Sequence, residues 1–271
     1  MTMNFDLSHH VALVTGGGRG FGRAIACHLA AAGAAVAVTS RSADELRQTV
    51  SLIEAAGGKA FAVTGDVTER ADVERIVAAT EQALGGISIF INNAGVPDPF
   101  GPIGVIDPDR WWHTQAVHVR APMLFLTALL PGMQQRGLGR IVLVSAKASR
   151  VDAPNLSAYC VAKTGQNRIA RMVAAENVDN GLAIFAIDPG FAYTELAAST
   201  AKSPDAQRWL PGMVGRLNAL AESAGSDDDL RRCGERCVAL ASGRYDALSG
   251  SYMELPDDPE VLLAAKQAPT A

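Results

Sequence analysis

Short, continuous runs of apolar and often β-branched residues recur along the chain, separated by alanine-rich stretches with helical periodicity. Val11–Thr15, Val36–Thr39, Ala60–Thr64, Ile87–Ile91, Ile141–Val144 and Leu182–Ile187 read as strands. These runs lack the polar alternation of a half-exposed sheet, so both faces of each strand are predicted to be covered. Helices are predicted from about Arg19 to Ala32, from a capping box at Ser42-Ala-Asp-Glu, and over Asp72–Ala83. Alternation of this kind predicts an α/β fold, a doubly wound parallel sheet with helices on both faces. No linker or composition break divides the 271 residues, which are read as a single domain. Between Glu195 and Asp229 the alternation lapses, and Pro204, Pro211, Gly212 and Gly215 punctuate the segment. A structureless loop of that length is uncommon, so a mobile helical lid over a site is expected at 195–229.

Composition narrows the setting. Hydrophobic residues make up 48% of the chain, enough for a substantial core. A formal net charge of −4 with no basic tract speaks against nucleic acid and against an anionic membrane surface as partners. The N-terminus lacks a signal-peptide pattern, and no uninterrupted apolar run is long enough to span a bilayer. A cytoplasmic protein without a membrane partner is therefore expected. Cys27, Cys160, Cys233 and Cys237 do not have zinc-site spacing, and no metal is expected.

Two patterns carry chemistry. Thr15-Gly-Gly-Gly-Arg-Gly-Phe-Gly22 lies between the first strand and the first helix. Glycines there let the backbone turn tightly and approach a pyrophosphate, while the helix N-terminus offers unpaired N–H groups. Tyr159 and Lys163 stand four residues apart, on one face of a predicted helix. An ammonium beside a phenol favours the phenolate, moving tyrosine from its ordinary value near ~10 toward acid–base work. Cofactor choice is read from charge. Ser40-Arg41 stands where an NAD site wants a carboxylate, and Arg19 in the glycine loop adds a second guanidinium. Both favour a 2′-phosphate and hence NADP(H).

With the glycine loop, Asn92-Asn-Ala-Gly95 after the fourth strand, Tyr159-x-x-x-Lys163, and Pro189-Gly190 followed by Thr194, the chain resembles the short-chain dehydrogenase/reductases. The resemblance runs from Val11 to about Leu255. It implies a Rossmann-like domain with the nicotinamide beside Tyr159 and Lys163, and a ketoreductase-type activity on a small-molecule substrate. It implies that Gly16, Arg19, Gly20, Phe21, Gly22, Ser40 and Arg41 hold the dinucleotide. Asp66 and Val67 would border the adenine, and Asn93, Ala94 and Gly95 the ribose–nicotinamide side. Pro189, Gly190 and Thr194 would meet the pyrophosphate or carboxamide. A homodimer or homotetramer is likewise implied.

Two positions depart from the family pattern. The usual serine that bonds the substrate carbonyl is replaced by Ala146, and the usual asparagine that holds a relay water by His118. Removing one preorganised donor commonly costs ~10²–10³ in rate. Ser145 is adjacent but of the wrong strand parity; Lys147, Ser149, Asn155 and Ser157 are the other candidates. His118 can both donate and accept and is expected either to support the relay or to bond a backbone carbonyl. Phe191, Tyr193, Trp209, Met213, Pro97 and Phe100 are candidate pocket walls. Loss of the serine keeps two rivals open: a non-redox enzyme on the same fold, and a cofactor-binding pseudoenzyme.

Overall fold

The computed structural model describes residues 5–223 and 228–268. Its elements run β1 (Val11–Thr15), α1 (Gly20–Ala31), β2 (Ala35–Ser40), α2 (Ala43–Ala55), β3 (Lys59–Thr64), α3 (Arg70–Leu84), β4 (Ile89–Asn92) and α4 (Pro108–Gln115). They continue with α5 (Ala121–Arg136), β5 (Gly139–Val144), α6 (Ser157–Glu176), β6 (Leu182–Ile187), α7 (Glu195–Lys202), α8 (Pro204–Trp209), α9 (Pro211–Glu222), α10 (Asp228–Ala241), β7 (Tyr252–Met253) and α11 (Pro259–Gln267). A π-helical turn, Ala116–Arg120, joins α4 to α5. Every strand pairing is parallel, in the order β3-β2-β1-β4-β5-β6-β7. This is the expected doubly wound, Rossmann-like sheet. Its order reverses between β1 and β4, which opens a crevice beyond the carboxyl ends of those strands.

Successive strand side chains point to opposite faces, and the core divides accordingly. Ala12, Val14, Val38, Val142 and Phe185 pack with residues of α1, α2 and α10. Leu13, Phe90, Ile141, Leu143 and Ile184 pack with residues of α3, α5 and α6. Phe125, Leu126, Leu129 and Met133 of α5 are at most 2% exposed. Burial of such side chains contributes on the order of 1.5–3 kcal/mol apiece. They also account for Pro108–Arg136, which is long and apolar enough to cross a membrane by length and composition. The expectation of no such run therefore holds only for uninterrupted apolar stretches. In the fold, Phe125, Leu126, Leu129 and Met133 of this segment are core residues, while Trp112 and Met123 are exposed.

The predicted strands all form, with shifts of a residue or two at their ends. The run read as Ile87–Ile91 is β4 at Ile89–Asn92. Neither β7 nor α11 was anticipated; β7 has two residues, too few to show a period. The 195–229 segment is helical, as expected, in α7, α8, α9 and the start of α10, with 224–227 outside the described residues. Its prolines start helices instead of breaking them. Pro204 and Pro211 stand in the first turns of α8 and α9, where a missing N–H costs nothing. Ala197, Ala201 and Leu217 form a small core of their own there, joined by Tyr193 and Met213.

Candidate active site

The glycine loop is shaped by its neighbours. Gly16 and Gly20 have φ of 62° and 53°, the left-handed region that favours glycine. At Gly22 a Cβ would overlap the Gly16 carbonyl, so α1 can approach the loop only with glycine there. Helix α1 then begins without a side-chain cap and without an acid in its first turn. Its first N–H groups are left for an anion, and the loop fits a pyrophosphate on that ground. Asn93 fixes the loop from behind: its Nδ2 donates to the carbonyls of Thr15 and Gly16 at 3.0 and 3.2 Å. The N–H groups of Asn93 and Ala94 donate to Thr15 Oγ1 at 3.0 and 3.1 Å.

A cavity of about 1160 Å³ runs from this loop across the strand ends. Arg19, Phe21, Ser40, Arg41, Asp66 and Val67 line it at the end expected for the adenosine. Burial raises the Asp66 pKa, but bonds from the Thr68 N–H and hydroxyl, at 2.9 and 2.7 Å, outweigh it and hold the group below its ordinary value. Arg19 is not a free cation: its Nη1 lies 3.1 Å from Glu45 Oε1. Glu45, read in the sequence only as the last residue of the Ser42 capping box, also lines the cavity from the first turn of α2.

Beyond β6, Gly190 adopts φ 89°, and Asp229 Oδ2 accepts the Phe191 N–H at 2.8 Å. Pro189, Gly190 and Thr194 all line the cavity. Thr194 Oγ1 caps α7 by accepting from the Ala197 N–H at 3.3 Å. Its methyl side faces Gly20, and both residues line the cavity. Pro97, Phe100, Phe191 and Met213 are wall residues, as expected. Tyr193 packs against the small core of Ala197, Ala201 and Leu217, and Trp209 lies against Gly101, both outside the lining.

Tyr159, Lys163, His118 and Ser145 come together at the same cavity. The half-buried Tyr159 ring meets the His118 ring edge-on, with centroids 5.4 Å apart. Lys163 is 3% exposed, and its Nζ lies 5.3 Å from the Tyr159 ring centroid. That Nζ donates to the Val144 carbonyl at 2.6 Å and to Gln166 Oε1 at 3.2 Å. The expected direction of the tyrosine shift is reversed. Burial, with the Asp188 charge second, raises the Tyr159 pKa well above its ordinary value. Burial pushes Lys163 down to about 7, against the Asp188 charge. The ammonium stands over the ring face and donates two N–H groups to carbonyl oxygens.

His118 takes the backbone-bonded alternative. Its Nε2 lies 2.8 Å from the Val96 carbonyl, while Nδ1 is buried without a partner. Burial, followed by the Lys163 charge, pushes its pKa down to about 3, so the imidazole is neutral. At Gly95 a Cβ would lie 2.7 Å from His118 Cε1, which is why glycine fits there. The candidate replacements for the missing serine are all engaged. Ser145 is buried and donates to the Lys163 carbonyl at 3.2 Å, as its strand parity foretells. Lys147 Nζ lies 3.5 Å from Glu254, and Ser149 donates to the Ala146 carbonyl at 2.7 Å. Asn155 donates to the Trp209 carbonyl at 3.1 Å, and Ser157 accepts from Trp111 Nε1 at 3.2 Å.

Two further residues of this site escaped the sequence reading. Asp188, at the end of β6, lines the cavity with its pKa raised by burial, opposed by the Lys147 and Gly190 N–H groups. Gln166 is fully buried beside Lys163. The available signal was its place on the α6 stripe of Ala158, Ala162, Ala170 and Val173, where the helical period asks for an apolar residue.

Comparison with known proteins agrees with this geometry. A family profile described as short chain dehydrogenase matches residues 10–205. A short chain dehydrogenase of Pseudocercospora fijiensis is 33% identical over 257 residues, covering 93% of this chain and 82% of that protein. The crystal structure of a levodione reductase superposes with a TM-score of 0.81 at 25% identity, covering 91% of this chain and 96% of the other. A Beutenbergia cavernae chain, named as an NAD(P)-dependent gluconate 5-dehydrogenase and solved with NADP at low occupancy, gives 0.79 at 25% identity, covering 96% and 99%.

Proposed function

The chain belongs to the short-chain dehydrogenase family, and from that premise we propose that it is an NADP(H)-dependent oxidoreductase moving a hydride between the nicotinamide and a carbonyl/alcohol or imine carbon of a small molecule. One observation carries this reading: a single cavity of about 1160 Å³ joins the glycine loop to Tyr159 and Lys163. That volume exceeds what a drug-sized ligand needs and suits a dinucleotide with a substrate beside it. Bound nicotinamide supplies or accepts the hydride. Tyr159 handles the proton. A phenol ordinarily titrates near ~10, and burial raises this one further, so it is protonated at neutral pH. That suits the reducing direction, where its O–H gives the proton to the substrate heteroatom. Pro97, Phe100, Phe191 and Met213 favour an apolar body on that substrate.

Support for the phosphorylated cofactor comes from Arg19 and Arg41 and from the lack of an acid at the end of β2. The similar chain solved with NADP is consistent with it. Assembly as a cytoplasmic homodimer or homotetramer belongs to the same proposal. The exposed Met123 of α5 and Val161 and Met172 of α6 support it.

A specific observation favours a second reading. With Ala146 in place, Ser145 donates to the Lys163 carbonyl, and Ser149, Asn155 and Ser157 lie outside the cavity lining, so none of the four presents a donor to a substrate carbonyl there. The same site would then serve a non-redox step such as elimination or isomerisation. The deciding experiment follows NADPH oxidation over a ketone and imine panel, with wild type and Ala146→Ser side by side after both are shown to bind NADPH. Turnover by wild type that serine leaves nearly unchanged supports the oxidoreductase. Turnover confined to the serine variant sinks it and moves the non-redox reading ahead.

A further inference from the structure

Gln166 stands 0% exposed at a core position of α6. Burying an amide is costly unless its polar ends are bonded. Both are. Nε2 donates to the main-chain carbonyl of His118 at 2.9 Å, and Oε1 accepts from Lys163 Nζ at 3.2 Å. These partners fix which end is which. A carbonyl only accepts and an ammonium only donates, so turning the amide over would break both bonds.

The His118 carbonyl takes this bond for a local reason. In a regular helix its donor is the N–H four residues on, and that residue is Pro122, which has none. The chain passes here through the wider π-turn Ala116–Arg120. Gln166, 48 positions along the chain and on another helix, supplies the donor. Proline, π-turn and glutamine thus act together, and the product is a carbonyl oxygen aimed at Lys163.

We propose that Gln166 is a positioning residue for Lys163, its buried amide tying the ammonium to the His118 main chain so that one N–H is left for the Tyr159 side of the cavity. An ammonium has three N–H bonds. Val144 takes one and Gln166 the second. The groups that titrate around it are His118 from the π-turn, Tyr159 one turn earlier on α6, and Asp188 from the end of β6. A neutral amide steadies the charged lysine without locking it, as a carboxylate would. The role assigned to the third N–H rests on the oxidoreductase reading; the tie between Gln166 and Lys163 does not.

The test reads the lysine directly, by NMR titration of isotope-labelled lysine in the full chain, with the Lys163 signal identified by its loss in Lys163→Met. Wild type is expected to titrate near 7. Gln166→Glu should move that midpoint up by about one pH unit or more, and Gln166→Leu should move it down by a similar amount. Midpoints within about 0.3 pH unit of wild type in variants that melt cooperatively would overturn the proposal. If Gln166→Leu does not fold, Gln166→Glu decides alone, repeated with Pro122→Ala to return an N–H to the His118 carbonyl. A wild type that consumes no NADPH would sink the oxidoreductase reading, while the lysine midpoints would still decide for or against the Gln166 tie.

Discussion

At the glycine loop, main-chain conformation makes the site; around Lys163, side chains from several elements make it. The loop needs Gly16 and Gly20 in the left-handed region, Gly22 for the close approach of α1, and Asn93 and Thr15 to bond its backbone. Lys163 is held by Val144 of β5, by Gln166 of α6, and through Gln166 by the π-turn. A backbone site tolerates change in most side chains but not in its glycines. A buried side-chain network fails or shifts with any one member, because each unpaired polar group then bears its full desolvation cost. Binding is accordingly expected to reside in the first region and proton handling in the second.

The largest expected effect tests that division at its chemical end. Tyr159→Phe should lower turnover by ~10²–10⁴ while changing NADPH affinity less than about threefold; a parallel fall in both would join the two regions into one. At the other end, Gly22→Ala puts a methyl into the Gly16 carbonyl. Overpacking of that kind costs on the order of 1–3 kcal/mol, and NADPH binding should drop with the melting midpoint. Retained affinity in a fully stable variant would show that the close approach is dispensable.

Protonation sharpens the contrast further. His118 binds its proton near 3 in the fold against about 6.5 when unfolded. Between these values the unfolded chain holds the extra proton, so this group makes stability fall as pH drops from about 6.5 toward 3. The slope is at most about 1.4 kcal/mol per pH unit for one proton. Denaturant titrations across that range should be flatter in His118→Gln; identical slopes would place the acid sensitivity elsewhere. The smallest effect belongs to the loop. Arg19 and Glu45 form a partly exposed pair at 3.1 Å, and such pairs are worth roughly 0–1 kcal/mol. Glu45→Gln should free Arg19 and tighten NADPH binding by up to about fivefold, with little change for NADH. Equal gains for both cofactors would argue against a 2′-phosphate site.

Much of this molecule is legible in local sequence. Buried strands such as Leu182–Ile187 announce themselves as unbroken apolar runs because both faces are covered. The cradle at Gly16–Gly22 follows from its place between a strand and a helix. Tyr159 and Lys163 share a face because i and i+4 do on any helix. Even the engagement of Ser145 away from Ala146 follows from strand parity. Each of these depends on spacing within a few residues, which the chain carries in its order.

The fold alone decided the rest. Tyr159 has its pKa raised, not lowered, because burial, with the Asp188 charge second, disfavours the phenolate. Arg19 meets Glu45 only because β2 and α2 bring residues 26 positions apart into contact. Gln166 gains its meaning from Pro122, whose missing N–H leaves the His118 carbonyl to a donor 48 residues away. Desolvation and hydrogen bonding between distant segments have no local period to betray them, so they come into being with the packing itself.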